Sequence, residues 1–328
     1  EHVDRLIEIF NVCWPMYAAM PAVLKQAVLQ AYEVCGWDLQ SSENEYDEDL
    51  FPTFRDLCAE LEDVIDNSAY DQEVKSNYKG SLQTRIQSLA NGLNGQIFAT
   101  DEVDNEVLFD ENVIVDLSRI GSLETKSLIM GILVMRLNER RMSEAEGMNV
   151  PLRHVTVLEE AHNILKRTTF GDGGPEGANV AGKSVEMLSN AIAEMRTYGE
   201  GFIIADQSPG AVDISAIRNT NTKIIMRLPE EADRRLAGRS AALREEQLDE
   251  IAKLPKGVAV VYQNDWLEPV LCKIKKYAGE ERPYQSGEWK QTGKNDWKWF
   301  DKELIKLLLK GRVNEELETD IDRLEDAL

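Results

Sequence analysis

The chain has 328 residues, of which 43% are hydrophobic and 29% charged, enough for one large or two ordinary globular domains with a packed core. Its formal net charge of −22 excludes general coating of DNA or anionic membranes, so any DNA contact must be a local basic track. The sequence contains no apolar run of roughly 20 residues and no signal-peptide pattern, and its four cysteines are scattered. We therefore expect a cytoplasmic protein without membrane spans, disulfides or a zinc site.

The first part of the chain has the pattern of helices. Apolar residues recur at helical spacing over residues 1–37, with interruptions around Pro15 and Pro21, which predicts two amphipathic helices. Thr53 stands where the cap of a third helix is expected, and residues 81–93 predict one more. No strand is predicted in this part.

After about residue 107, short β-branched runs alternate with long helical segments. The predicted strands are 112–118, 154–160, 201–207 and 222–228. Continuous apolar strands separated by helices predict an α/β fold, in which a parallel sheet is covered on both faces. GVAVVY and WLEPVLCKI, at 257–262 and 266–274, predict a closing hairpin.

The stretch GANVAGKS, residues 177–184, matches the consensus of a phosphate-binding loop and ends in Lys183 and Ser184. Such a loop works when a strand leads into it and a helix begins directly after it. The residues that follow predict a helix, but the residues before it are rich in glycine and contain no β-branched run. The local sequence therefore provides the helix that this motif requires after it, but not the strand that it requires before it.

The segment HVTVLEEAH, residues 154–162, predicts a buried strand that ends in Glu159 and Glu160. Ligands of open α/β sheets bind at the carboxyl ends of the strands. Two acids there suit phosphoryl transfer, in which one carboxylate helps to hold Mg²⁺ and the next activates water. Alternatively, the two glutamates only favour the start of the next helix, by about 0.3 to 1 kcal/mol each.

Two further polar residues accompany the next strand. Gln207 follows it directly, where an amide can contact a γ-phosphate or position water, although it could also be an ordinary loop hydrogen bonder. Arg196 lies near the end of the preceding helix. Without a functional role, it would be a solvated cation at the helix end. The histidines show no ligand spacing, and we expect a structural role for His162, which follows the two glutamates.

The ordered set LEEAH, EMRTYGEGFIIADQSP and NTNTKIIMRL, preceded by YEVCGWDL, FPTFRDL, SLQTRIQSLANGLNGQIF and VIVDLS, resembles the HerA family of hexameric ATPases. This family is part of the FtsK–HerA superfamily of DNA-pumping motors, and the resemblance covers residues 1–275. It implies a RecA-like P-loop NTPase core with a mostly parallel sheet over residues 79–278. An α-helical insertion domain at 1–78 and a C-terminal helical extension at 279–328 complete the implied organisation.

The resemblance also implies a function. Family members form rings of six subunits, bind ATP and Mg²⁺ between neighbours, and move double-stranded DNA through the centre. Bacterial relatives work beside nuclease or sirtuin-like effectors, in some cases in anti-phage systems. Matched by motif, Glu159 is the metal-side acid and Glu160 the catalytic glutamate. Gln207 is the sensor, Arg196 the arginine finger offered to the adjacent subunit, and Arg227 a second candidate for the intersubunit phosphate contact.

In the family, the phosphate-binding loop precedes the helical insertion and the paired acids. GANVAGKS follows the acids, so we interpret it as a chance match in which Lys183 and Ser184 start a helix. The true loop and the central strand are then expected before Glu1. A rival hypothesis from another class is a non-hydrolysing oligomeric scaffold that gathers effector subunits.

Overall fold

The computed structural model describes residues 1–46, 50–99, 102–145, 147–167 and 174–279, with the backbone alone for 174–180. The chain divides after Lys275 into two compact units, and the described residues lie almost entirely in the first. The predicted C-terminal helical extension lies outside the described residues except for Gly279. No helix in the described part combines the length and the hydropathy that a bilayer crossing requires.

Helices dominate the first 143 residues, as the periodicity predicts. They are α1 (His2–Cys13), α2 (Met20–Val34), α3 (Phe54–Asn67), α4 (Gln72–Tyr78), a π-helical turn (Lys79–Gln83), α5 (Thr84–Ala90), α6 (Gly92–Ile97), α7 (Asn105–Asp110) and α8 (Leu123–Ser143). The predicted cap is confirmed, because the Thr53 hydroxyl accepts hydrogen bonds from the backbone of Arg55 and Asp56 at the start of α3. A hairpin of β1 (Trp37–Asp38) and β2 (Glu43–Asn44) was not predicted, since two-residue strands leave no alternating pattern.

The second part alternates strands and helices. Its elements are β3 (His154–Glu159), α9 (Gly174–Glu194), β4 (Glu200–Ala205), α10 (Ile214–Asn219), β5 (Thr222–Ile225), α11 (Glu231–Ser240), α12 (Glu245–Ile251), β6 (Val258–Gln263) and β7 (Val270–Lys273). Strands β3 and β4 pair in parallel, whereas β5, β6 and β7 form a separate antiparallel sheet. The α/β class and the closing hairpin are therefore confirmed.

Two strand predictions need correction. Residues 112–117 have no regular secondary structure, and the Ile114 side chain is 89% exposed. A strand exists only when a neighbour completes its hydrogen-bond ladder, and no described residue pairs with this segment. The run at 222–228 forms the short strand β5, which pairs antiparallel with β6 instead of extending the parallel sheet. The parallel pairing in the described part is confined to β3 and β4.

The main hydrophobic core joins the helices to one face of the parallel strand pair. Leu158 of β3 is buried, and Phe202 and Ile204 of β4 pack against the same cluster, which also contains residues of α1, α2, α3, α8 and α9. Alternation along the strands places Val157 and Ile203 on the opposite face, where both are more than half exposed. A second, smaller cluster holds β5 and β6 against α11 and α12.

A buried ion pair fixes the amino-terminal end of the parallel strands. Arg141 of α8 donates from Nε to Glu200 at 2.9 Å and from Nη1 to Asp110 at 2.7 Å, and the side chains of Arg141 and Glu200 are 1% and 0% exposed. Glu200 also accepts hydrogen bonds from the Thr156 hydroxyl at 2.7 Å and from His154 Nδ1 at 2.8 Å. Burial acts to raise the pKa of Asp110, but its hydrogen bonds from Arg141 and Arg140 outweigh this and lower it. Each buried charge therefore has the partners that its loss of hydration requires.

The GANVAGKS stretch lies inside helix α9 and is not a loop. Lys183 is exposed, whereas Ser184 is buried and its hydroxyl donates a hydrogen bond to Glu8 of α1. The helix begins at Gly174, so Lys183 and Ser184 lie in its interior and not at its start as predicted. Pro175 is compatible with this earlier start, because proline fits the first turn of a helix. Backbone N–H groups in a helix interior are bonded within the helix and cannot surround a phosphate.

The buried ion pair gives a stability prediction. Arg141→Met should lower the free energy of unfolding by about 3 to 5 kcal/mol, because it leaves the Glu200 carboxylate buried without its main partner. Arg140→Met is the matched control: Arg140 also binds Asp110 but is partly exposed, so we expect a loss below about 1 kcal/mol. Urea unfolding followed by circular dichroism measures both, and equal losses in the two variants would contradict the importance of burial.

The position of GANVAGKS gives a binding prediction. Lys183→Ala should leave the affinity for ATP within about threefold of the wild type, because the lysine is an exposed helix residue and the lysine of a true phosphate loop touches the β and γ phosphates. Titration with a fluorescent ATP analogue measures the affinity, and circular dichroism verifies the fold. If the variant were folded but no longer bound ATP, GANVAGKS would have to be part of the nucleotide site.

Candidate functional site

The parallel pairing of β3 and β4 places the residues that follow both strands at one edge of the sheet. The register pairs His154 with Glu200 at one end and Glu159 with Ala205 at the other. Glu160 and Gln207 therefore leave the same edge, as expected for the carboxyl ends of neighbouring parallel strands. This edge is the candidate functional site.

Glu160 occupies a sharp turn directly after β3. Its backbone has φ +51° and ψ 49°, in the left-handed region, and a short 3₁₀ helix (Ala161–Asn163) follows. The Glu160 carbonyl accepts hydrogen bonds from Asn163, from both the backbone N–H and Nδ2 at 2.9 Å. The Glu160 side chain is 46% exposed, and its Oε1 accepts a hydrogen bond of 2.9 Å from Gln207 Nε2. The structure thus brings two of the predicted site residues into direct contact.

Asp206 is a site residue that the sequence reasoning missed. Its side chain is 6% exposed, and its Oδ2 accepts hydrogen bonds from His162, from Nδ1 at 2.8 Å and from the backbone N–H at 2.9 Å. Its Oδ1 accepts from the backbone N–H of Ser208 at 2.9 Å. The available signal was an acid directly after a buried strand, the same signal that identified the glutamate pair. The contacts of His162 agree with the structural role expected for it near the site.

The edge offers oxygen donors that suit a divalent cation. Donor atoms of Glu160, His162 and Asp206 lie within 4.8 Å of one another. Mg²⁺ takes carboxylate oxygens together with water, so the acids fit this ion, whereas His162 Nδ1 is already occupied by Asp206. Glu159, the last residue of β3, is exposed and lies on the outer face of the strand with Val157. Its carboxylate therefore points away from the core, and it is not among the grouped ligand atoms of Glu160, His162 and Asp206.

Arg196 and Arg227 stand apart from this edge. Arg196 lies in a 3₁₀ turn (Met195–Tyr198) that precedes β4, so the six-residue strand separates it from Gln207 by about 20 Å. Arg227 follows β5 in the antiparallel sheet. Both side chains are exposed, and neither forms a hydrogen bond or ion pair with a residue in the described ranges. Within one chain, the structure does not bring Arg196 to Glu160.

The described part of the site has acids and an amide but no phosphate-binding loop. Among the described residues, no strand leads directly into a glycine-rich turn that opens a helix. What the described edge can do chemically is accept a proton through Glu160, donate or accept a hydrogen bond through Gln207, and hold a cation through the carboxylates.

Proteins of similar sequence include archaeal helicases. The chain is 25% identical over 228 residues to the DNA double-strand break repair helicase HerA of Sulfolobus acidocaldarius, covering 67% of this chain and 43% of that protein. It is 24% identical over 278 residues to the protein of the same name from Sulfurisphaera tokodaii, covering 82% and 52%. The chain thus spans about half the length of these relatives. No protein-family model matches it.

A solved structure shares the fold. VirB4 of Thermoanaerobacter pseudethanolicus aligns with a TM-score of 0.58 and 16% sequence identity, covering 84% of this chain and 69% of that one. Together, the two likenesses confirm the resemblance to the HerA-type ATPases of the FtsK–HerA superfamily and the RecA-like α/β fold that this resemblance implies.

Proposed function

We propose that this chain carries the hydrolytic edge of an ATPase site. Glu160 activates the attacking water, Glu159 helps to hold Mg²⁺, and Gln207 contacts the γ-phosphate. The observation that carries the proposal is the 2.9 Å hydrogen bond between Glu160 and Gln207 at the carboxyl edge of two parallel strands. The phosphate-binding loop is supplied by a segment outside the described residues.

The chemistry follows from the two side chains in contact. The Glu160 carboxylate is half exposed at the strand edge, so it can accept a proton from a water molecule. Gln207 has a neutral amide that both donates and accepts, which allows it to contact the carboxylate and then a phosphate oxygen. When bound, Mg²⁺ neutralises charge on the phosphates. The role of the chain's own residues is to place the base and the amide on one rigid edge.

The position of Arg196 supports a site shared between subunits. Because about 20 Å of strand separates it from Gln207, Arg196 is poorly placed to serve its own chain's nucleotide. It is exposed at the other end of β4, where a neighbouring subunit can approach. We propose a homohexameric ring in which Arg196, with Arg227 as second candidate, stabilises the nucleotide of the adjacent subunit.

The substrate and partners are proposed from the similarity to HerA. The ring moves or remodels double-stranded DNA with a nuclease or sirtuin-like effector, in the context of anti-phage defence. A net charge of −22 restricts the DNA contact to a local basic track, such as a central channel. The alternative is a non-hydrolysing scaffold that assembles effector subunits, and the contact between Glu160 and Gln207 favours the enzyme over it.

ATP turnover of a Glu160 variant tests the hydrolytic role. Glu160→Gln keeps the size and the hydrogen bonding of the side chain but removes its basicity, so we expect hydrolysis slowed by roughly a hundredfold with ATP still bound. The matched control is Glu186→Gln, an exposed glutamate of α9, which should stay within about twofold of the wild type. If Glu160→Gln hydrolysed ATP at the wild-type rate, the glutamate pair would only favour the start of the following helix. If the wild-type protein itself did not hydrolyse ATP, the scaffold would be favoured.

Mixed rings test whether the site is shared. Rings of Arg196→Ala subunits and rings of Glu160→Gln subunits should each be nearly inactive, because an arginine finger contributes about 10³ to 10⁵ in rate. Co-assembled rings should recover part of the activity, since an interface that pairs Glu160 of one subunit with Arg196 of its neighbour is intact. Native mass spectrometry verifies mixing, and phosphate release measures turnover. Full activity of Arg196→Ala rings would exclude the finger.

A further inference from the structure

The side chain of Asp206 connects the ends of the two parallel strands. Asp206 follows β4 directly, and its carboxylate binds the ring and the backbone of His162, two residues beyond Glu160. With a side chain 6% exposed, this carboxylate needs hydrogen-bond donors in place of water. The two N–H groups of His162 and the backbone N–H of Ser208 supply three. The connection is therefore a satisfied, buried contact and not a flexible surface pair.

The hydrogen-bond chemistry defines which ring nitrogen carries a proton. An ionised carboxylate can only accept, so His162 Nδ1 must donate to Asp206, whether the ring is neutral or charged. The same Nδ1 stands 3.6 Å from Glu160 Oε2. The ring is thus held in one orientation beside the Glu160 carboxylate, while Nε2 takes no part in the contact with Asp206.

The backbone of Glu160 needs this support. A non-glycine residue in the left-handed region is uncommon and persists where the surroundings hold it, at a cost of order 1 to 3 kcal/mol. Asn163 binds the Glu160 carbonyl. Asp206 binds the backbone and ring of His162, and Gln207, next to Asp206, binds the Glu160 carboxylate. The turn and the side chain of Glu160 are therefore fixed from the end of β4.

We propose that His162 and Asp206 form a positioning pair, in which the Nδ1–H···Oδ2 hydrogen bond keeps the Glu160 carboxylate at Gln207 and at the place of the attacking water. The proposal rests on the proposed ATPase function and adds two positioning residues to it. Neither residue takes up a proton in the reaction. The competing role for His162 is proton transfer through Nε2, which needs a different nitrogen.

Asparagine at position 162 separates the two roles. In His162→Asn, the side-chain Nδ2 takes nearly the place of Nδ1 and can still donate to Asp206, but nothing replaces Nε2. His162→Ala removes both nitrogens. Positioning therefore predicts rescue by asparagine, whereas proton transfer through Nε2 predicts none.

The other end of β3 offers a matched control. His154 is likewise held through Nδ1, at 2.8 Å, by a buried carboxylate of β4, that of Glu200. His154→Ala removes the same kind of contact between the same two strands, but at the edge away from Glu160. If destabilising the strands were enough to slow hydrolysis, both alanine variants would have a lower kcat. If positioning of Glu160 is the cause, only His162→Ala would have a lower kcat.

The first measurement is steady-state ATP hydrolysis by the full-length protein. We expect His162→Ala and Asp206→Asn to lower kcat by roughly ten- to a hundredfold with KM for ATP within about twofold, since small misplacements of a reacting group cost rates of this order. His162→Asn and His154→Ala should stay within about threefold of the wild-type kcat. Combining His162→Ala with Asp206→Asn should add little, because both remove one interaction.

The second measurement does not require activity. In the nucleotide-free protein, the hydrogen-exchange rate of the backbone amides at positions 162 and 163 should rise about tenfold in Asp206→Asn. The rate at these two positions should rise equally in His162→Ala but should not rise in His162→Asn. Unchanged exchange and kcat in His162→Ala would overturn the proposal. So would a slow His162→Asn with normal exchange, which would assign the role to Nε2. A wild type without turnover would refute the ATPase function, and exchange alone would then decide whether the pair holds the turn.

Discussion

The in-register parallel pairing of β3 with β4 is the constraint on which the arrangement of the site depends. It places Glu160 and Gln207 at the same edge and close enough for a hydrogen bond of 2.9 Å. It also places Arg196, which precedes β4, at the opposite edge. A shift of the register by one residue would turn Leu158 out of the core and move Glu160 away from its partner, so the buried face of the strands also defines the site.

The same kind of contact, a histidine bound to a buried carboxylate, connects the strand pair at both ends. At the amino-terminal edge, His154 and Arg141 bind the buried carboxylate of Glu200. At the carboxyl-terminal edge, His162 binds the buried carboxylate of Asp206. Each contact connects β3, or the turn after it, to β4, and each acid is shielded from water. The first has helix α8 as a further partner, whereas the second stands beside the half-exposed carboxylate of Glu160.

Separation of the predicted residues within one chain has a functional consequence. In the proposed ATPase, a carboxylate and an amide at one end of the strands and an exposed arginine at the other suit a repeating assembly, in which each subunit offers a different edge to each neighbour. Head-to-tail contacts of this kind close into a ring when the rotation between neighbours closes. The geometry of a single chain thus supports the shared ATPase site proposed here and gives Arg196 a role that its own chain's edge does not offer.

The sequence by itself determined the elements whose signals are local. Helical spacing predicts α1, α2 and α8, and Thr53 predicts the cap of α3. The apolar runs predict β3 and β4, and the polar residues at their ends identify Glu160 and Gln207. The order of the motifs along the chain was also the basis for the resemblance to HerA. Such signals lie within a few residues of each other, so they can be recognised without knowing the fold.

Only the tertiary structure decided the pairings. Residues 112–117 have a strand-like sequence but no described partner, and β5 pairs antiparallel with a strand more than 30 residues away. GANVAGKS matches a phosphate loop but forms part of α9, because the buried side of this helix packs on α1 and α10. Asp206 became a site residue through its contact with His162, which is distant in sequence. Hydrogen-bond ladders and buried contacts join residues far apart along the chain, and local pattern contains no information about such partners.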